Sequence, residues 1–169
     1  NKKNNLYYFS NIDYGFLKQR PQQLFDAWKK QYSDRCNAYY VETFGKLPGS
    51  SKPHEPGVIA TDFYYSFSKF GLDCLNSINA FFIKKMMQTT ADGANIAITC
   101  SGLLEPYLNR NLFDVICYDH LDSLDIHVDN CNYRQMKELH EKLLEKCDIV
   151  FVTADKLKQD IEDNYPGKT

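Results

Sequence analysis

The chain has 169 residues, 43% of them hydrophobic and 14% aromatic, with a formal net charge of -2. That length suits one domain that buries a full core without disulfide or metal staples, and the absence of a long Lys/Arg run argues against nucleic acid as a partner. No apolar stretch approaches the roughly 20 residues of a membrane span and no secretory signal is found, so the chain reads as cytoplasmic, with peripheral association at the inner face of a membrane left open.

In chain order, Leu6 to Phe9 reads as a first strand after a polar lead-in, Asn1 to Asn5. Pro21 to Tyr32 reads as a helix, with Leu24, Ala27, Trp28 and Tyr32 at helical spacing and Pro21 in the first turn, where its missing N–H costs nothing. Ala38 to Phe44 reads as a second strand. Residues 45–57 gather Gly45, Gly49, Gly57, Pro48, Pro53 and Pro56, a loop composition shared by ordinary connections and by substrate-closing loops. A brief third strand starts at Gly57, and residues 72–90 carry the longest helical pattern, with Leu75, Ile78, Phe82 and Met86 on one stripe. Asn95 to Cys100 is a strand, followed by a short helix around Leu103–Asn109. Phe113 to Tyr118 is the cleanest strand. An amphipathic helix over 133–147 aligns Met136, Leu139, Leu143 and Cys147, and a strand Asp148–Thr153 and a helix Asp155–Tyr165 follow.

Strands and helices alternate throughout. That order predicts an α/β, Rossmann-like fold: a mostly parallel sheet with helices on both faces. In such folds ligands bind beyond the C-terminal ends of the strands, where the strand order reverses. Six cysteines, at 36, 74, 100, 117, 131 and 147, are expected as reduced thiols, several of them beside apolar runs where cysteine packs as a small core residue.

The residues that follow strands therefore carry the functional reading. After the first strand there is no G-x-G-x-x-G, and no G-x-x-x-x-G-K-[ST] occurs anywhere, which removes the main support for dinucleotide and P-loop readings. What stands there is a helix start preceded by Lys18 and Arg20. Helix N–H groups and a guanidinium make an anion site; a plain salt bridge from Arg20 to a carboxylate is the equal alternative. After the Phe113–Tyr118 strand come Asp119, His120 and Asp122, two carboxylates and a histidine suited to sugar hydroxyls and proton acceptance, or to loop capping. Cys117, His120, His127 and Cys131 offer zinc ligands, but no tight C-x-x-C pair is present and no metal is expected. Ser101-Gly102 lacks the G-x-S-x-G of a nucleophile elbow.

The run Ile12-Asp13-Tyr14-Gly15-Phe16-Leu17-Lys18-Gln19-Arg20-Pro21-Gln22-Gln23-Leu24 resembles the "W…QRPQ-L" opening of bacterial glycosyltransferases akin to the teichuronic-acid and other surface-polysaccharide enzymes of GT family four. Tyr118-Asp119-His120-Leu121-Asp122 resembles that family's "YD..D" motif. The stretch from Leu139 through Glu141, Leu144, Asp148-Ile149-Val150 and Val152-Thr153 to Leu157 resembles its "E..LL..AD-V-VTS..L". Tyr14 stands where the family usually has Trp, Cys147 where it has Ala, Ala154 where it has Ser, and the Gly-Gly turn of many members is missing.

The resemblance implies the N-terminal, acceptor-side half of a GT-B fold, spanning residues 1–169 as a single domain. The sugar nucleotide would be bound mainly by a C-terminal domain beyond them, with no other cofactor and no metal. It assigns Asp13, Tyr14, Lys18, Gln19, Arg20, Gln22 and Gln23 to substrate binding. Asp119, His120 and Asp122 would orient acceptor hydroxyls, one of them serving as base. The partners implied are a saccharide or lipid-linked acceptor and the chain's own C-terminal domain. The complete protein would move a sugar to that acceptor in surface-polysaccharide assembly, while residues 1–169 alone would be inactive. A non-catalytic Rossmann-like binding module and a GT-B-type sugar-nucleotide epimerase are the alternatives.

Overall fold

The computed structural model describes residues 3–15, 17–42, 58–60, 81, 93–121 and 133–169. Six strands form one sheet: β1 (Asn4–Ser10), β2 (Cys36–Glu42), β3 (Val58–Ala60), β4 (Asn95–Thr99), β5 (Val115–His120) and β6 (Ile149–Val152). Their order is β3-β2-β1-β4-β5-β6, and every neighbouring pair is parallel. This is the Rossmann-like arrangement, with the strand order reversing between β1 and β4.

The sheet is covered on both faces, and the pleat of β1 shows how. Leu6 and Tyr8 pack with Phe25, Tyr40, Ile98 and Cys117 on one side; Tyr7 and Phe9 pack with Leu104, Tyr107, Phe113, Ile116 and Leu143 on the other. The first side is closed by helix α1 (Arg20–Gln31). The second is closed by a 3-10 helix (Gly102–Tyr107) and by helices α2 (Tyr133–Lys146) and α3 (Asp155–Asn164). Register pairs Tyr7 with Tyr39 and Tyr8 with Tyr40, and both pairs stack, with ring centroids 5.1 and 5.8 Å apart.

Three details differ from the sequence reading. Asn4 and Asn5 belong to β1 rather than to a lead-in. The Asn5 amide is fully buried, donates to Asn95 Oδ1 at 3.0 Å and accepts from Asn37 Nδ2 at 3.2 Å, an amide ladder across three adjacent strands. In α1 the buried side chains are Pro21, Gln22 and Phe25, whereas Ala27 is exposed and Leu24 and Trp28 are half-buried. The stripe read from Leu24, Ala27, Trp28 and Tyr32 is thus one residue off the buried face. Third, β5 starts at Val115 and runs two residues further than expected, because β6 pairs Asp119 with Phe151 and His120 with Val152. The Gly/Pro-rich loop 45–57 and, apart from Phe81, the helix expected over 72–90 lie outside the described residues. Among the described residues, Cys36, Cys100, Cys117 and Cys147 carry free thiols, and no helix is long and apolar enough to cross a membrane.

Candidate functional site

The connection from β1 to α1 is held by its own side chains. Asp13 accepts from the Gly15 amide at 2.9 Å, the local Asx bond expected of aspartate in a turn. The Gln22 side-chain amide, fully buried, donates to the Asp13 carbonyl at 3.1 Å and accepts from the backbone N–H of Gln19 at 2.9 Å. The backbone N–H of Tyr14 donates to buried Glu42 at 2.6 Å, and its hydroxyl donates to Asp26 at 2.5 Å. Lys18 donates to the other Asp26 oxygen at 2.8 Å. Burial pushes the Asp26 carboxyl up, but the bonds from Lys18 and Tyr14 outweigh it and hold the group below the usual carboxylate range. Asp13, Tyr14, Lys18 and Gln22, all assigned to substrate by the resemblance, therefore tie the loop to α1 and β2. Gln19 and Gln23 are exposed at the helix start.

Arg20 does something different. As the first residue of α1 it reaches across the C-terminal edge of the sheet to Asp119 in β5, donating from Nη2 to Oδ1 at 3.0 Å and from Nε to Oδ2 at 3.4 Å. The Tyr8 hydroxyl completes the group, donating to Asp119 Oδ2 at 3.1 Å. Burial, reinforced by Cys100 and Asp119, pushes the Tyr8 phenol far up, so it remains a donor. Asp119 is 1% exposed, while the Arg20 side chain is 44% exposed. Nη1 of Arg20 has no partner among the described residues. The salt bridge, one of the two sequence readings, is thus present, and the arginine also keeps donors facing outward.

Asp119 and His120, adjacent in sequence, point to opposite faces because strand side chains alternate. His120 lies on the α2 side, its ring centroid 4.9 Å from that of His140 and 5.1 Å from that of Tyr118. The Tyr118 hydroxyl and His140 Nδ1 are 3.0 Å apart. Burial, and then the neighbouring His120, lower the His140 pKa to about 4, so the ring is neutral near pH 7 and shares one hydrogen bond with the tyrosine hydroxyl. The acid–base constellation expected from Asp119 and His120 is consequently divided by the sheet; Asp122 lies outside the described residues. The same division separates Cys117 from His120, and no group of three His, Cys, Asp or Glu among the described residues is arranged to hold a metal.

Tyr8, Ser10, Glu42 and Cys100 were not singled out from the sequence. Ser10 is fully buried, accepts from the Ile12 amide at 3.0 Å and stands 3.9 Å from the Cys100 thiol, which burial pushes up to about 11. Only the pairing of β1 with β4 brings these two together, and nothing local signals it.

Fold and site together define a Rossmann-like α/β domain whose switch-point edge carries an oriented, outward-facing arginine over a buried carboxylate. Compared with protein-family models, curated proteins and solved structures, the chain matches none.

Proposed function

We propose that the chain is the acceptor-side domain of a GT-B glycosyltransferase that moves a sugar from a sugar nucleotide to a saccharide or lipid-linked acceptor. The observation that carries this reading is the Arg20–Asp119–Tyr8 group at the C-terminal edge of the parallel sheet, where α/β folds take their ligands. The ordered resemblance along the chain, from the QRPQ run to the Asp148–Leu157 stretch, supplies the reaction class.

In this reading Arg20 contacts the acceptor, or the diphosphate leaving from the donor, through its outward N–H groups. Asp119 touches no substrate: its two oxygens are taken by Arg20 and Tyr8, and it positions the guanidinium plane. The acceptor hydroxyl would attack the anomeric carbon as the bond to the nucleotide diphosphate breaks, its proton passing to the departing diphosphate, and positive charge near that diphosphate favours its departure. A binding module of the same fold is the second reading, favoured by the burial of Asp119 and His120 away from solvent.

The test is sugar transfer by the complete gene product from a panel of UDP- and GDP-sugars to a mixed cell-envelope extract, which contains the acceptor whatever its identity. Labelled product that disappears with Arg20→Ala supports the enzyme. Labelled product unaffected by that change removes Arg20 from the site, and no product from any donor favours the binding module.

A further inference from the structure

We propose that the cleft between α1 and β6 binds an anion carried on an apolar body: a phosphate or carboxylate attached to an aliphatic or aromatic group. The inference rests on the reading of Arg20 as a ligand-facing residue and extends it to the neighbouring surface. The cleft has a volume of about 370 Å³, the scale of a small-molecule site rather than of a protein helix. Leu24 and Trp28, one helical turn apart on α1, form one wall, and Phe151 of β6, on the same face as Asp119, forms the other.

Phe151 is 40% exposed although it belongs to a strand at the edge of the described sheet. The reason is topological. The 3-10 helix, α2 and α3 all pack on the other face, leaving the α1-side of β6 outside their cover. An exposed aromatic wall facing a half-buried tryptophan suits a flat or extended apolar group.

The charge at the rim selects its other end. Arg20 and Lys158 are the lining cations, with Asp119 the lining acidic side chain and Thr169 beside them. That carboxylate is already bonded to Arg20 and Tyr8 and nearly inaccessible. On α3, Asp155 and Glu162 stand three residues before and four after Lys158; Glu162 feels the Lys158 charge but accepts its hydrogen bonds from the Gly167 and Thr169 amides. An anion between Arg20 and Lys158 would receive charge-assisted hydrogen bonds from a guanidinium whose plane is already fixed, so little ordering cost remains on the protein side.

Trp28 is the single tryptophan of the chain and lines the cleft, so its emission reports occupancy directly. The full chain is titrated with hexyl phosphate, hexanoate, inorganic phosphate and 1-hexanol. A saturable change is expected with hexyl phosphate or hexanoate, at concentrations about tenfold or more below those at which inorganic phosphate or hexanol acts. Lys158→Gln and Arg20→Gln are each expected to weaken binding about tenfold, the loss of one charge-assisted bond. Lys137→Gln, on the opposite face, is expected to change nothing. Circular dichroism confirms that each variant is folded; Lys158, being exposed, serves as the variant least able to disturb the fold.

Equal responses to hexyl phosphate and hexanol, or undiminished binding by folded Lys158→Gln, would overturn the proposal. An inorganic phosphate response matching that of hexyl phosphate would overturn the apolar half of it. Transfer activity in a protein that fails to bind hexyl phosphate sinks the cleft and leaves the glycosyltransferase standing. Saturable binding in a protein that transfers nothing does the reverse.

Discussion

Asp119 and His120 show how much one residue of strand register decides. Placed in a loop they would form one acid–base group; placed as the last two residues of β5 they serve two faces, Asp119 under Arg20 and His120 against His140. Removing the Tyr8 hydroxyl tests the first of these. Tyr8→Phe deletes one donor to a buried carboxylate that Arg20 still holds, so a loss of about 1–2 kcal/mol is expected in urea unfolding. A loss below about 0.3 kcal/mol would mean that the bond is replaced by water. His140 tests the second. Its folded pKa, about 4, lies below the ordinary 6.5, so between those values the unfolded chain binds the extra proton and stability falls as pH drops. The penalty is complete near pH 4 and absent above about pH 7, amounting to at most about 3 kcal/mol, less where solvent screens the half-buried ring. His140→Phe is expected to flatten the difference in urea midpoint between pH 4.5 and pH 7; an unchanged difference would assign the pH dependence to other groups.

Elements were legible from periodicity and their ends were not. The strand–helix alternation, the Tyr133–Lys146 helix and the placement of a strand before Asp155 all follow from local pattern. The bounds of β5 depend on β6, and the burial of Asn5 depends on Asn37 and Asn95, partners that are distant in sequence. The buried face of α1 was misread because Gln22, a polar residue, is buried to hold the loop while Ala27 is exposed. Another close approach is invisible from the chain alone: a Cβ on Gly102 would stand 2.9 Å from His140 Cα, so the 3-10 helix and α2 pack backbone to backbone. Gly102→Ala is expected to push them apart at a cost of about 1–3 kcal/mol, seen as a lowered thermal midpoint. An unchanged midpoint would show that the contact yields freely.

At the scale of the whole molecule, the sheet order and the absence of a Gly-rich phosphate loop point the same way. The switch point offers a crevice at the β1 and β4 ends, but no G-x-G-x-x-G cradle follows β1 to hold a pyrophosphate. Calorimetry on residues 1–169 is therefore expected to show no binding of UDP- or GDP-sugars below the millimolar range, on the order of 4 kcal/mol or less. Micromolar binding would relocate the donor site into this domain. The proposed acceptor-side role depends most on Arg20. The direct measurement is kcat/KM for sugar transfer by the complete protein, wild type against Arg20→Ala, with folding checked by circular dichroism. A charged contact made in the transition state predicts a loss of about 2–4 kcal/mol, roughly thirty- to a thousandfold. Near-normal kcat/KM in folded Arg20→Ala would contradict the account and leave the Arg20–Asp119 bridge a purely structural one.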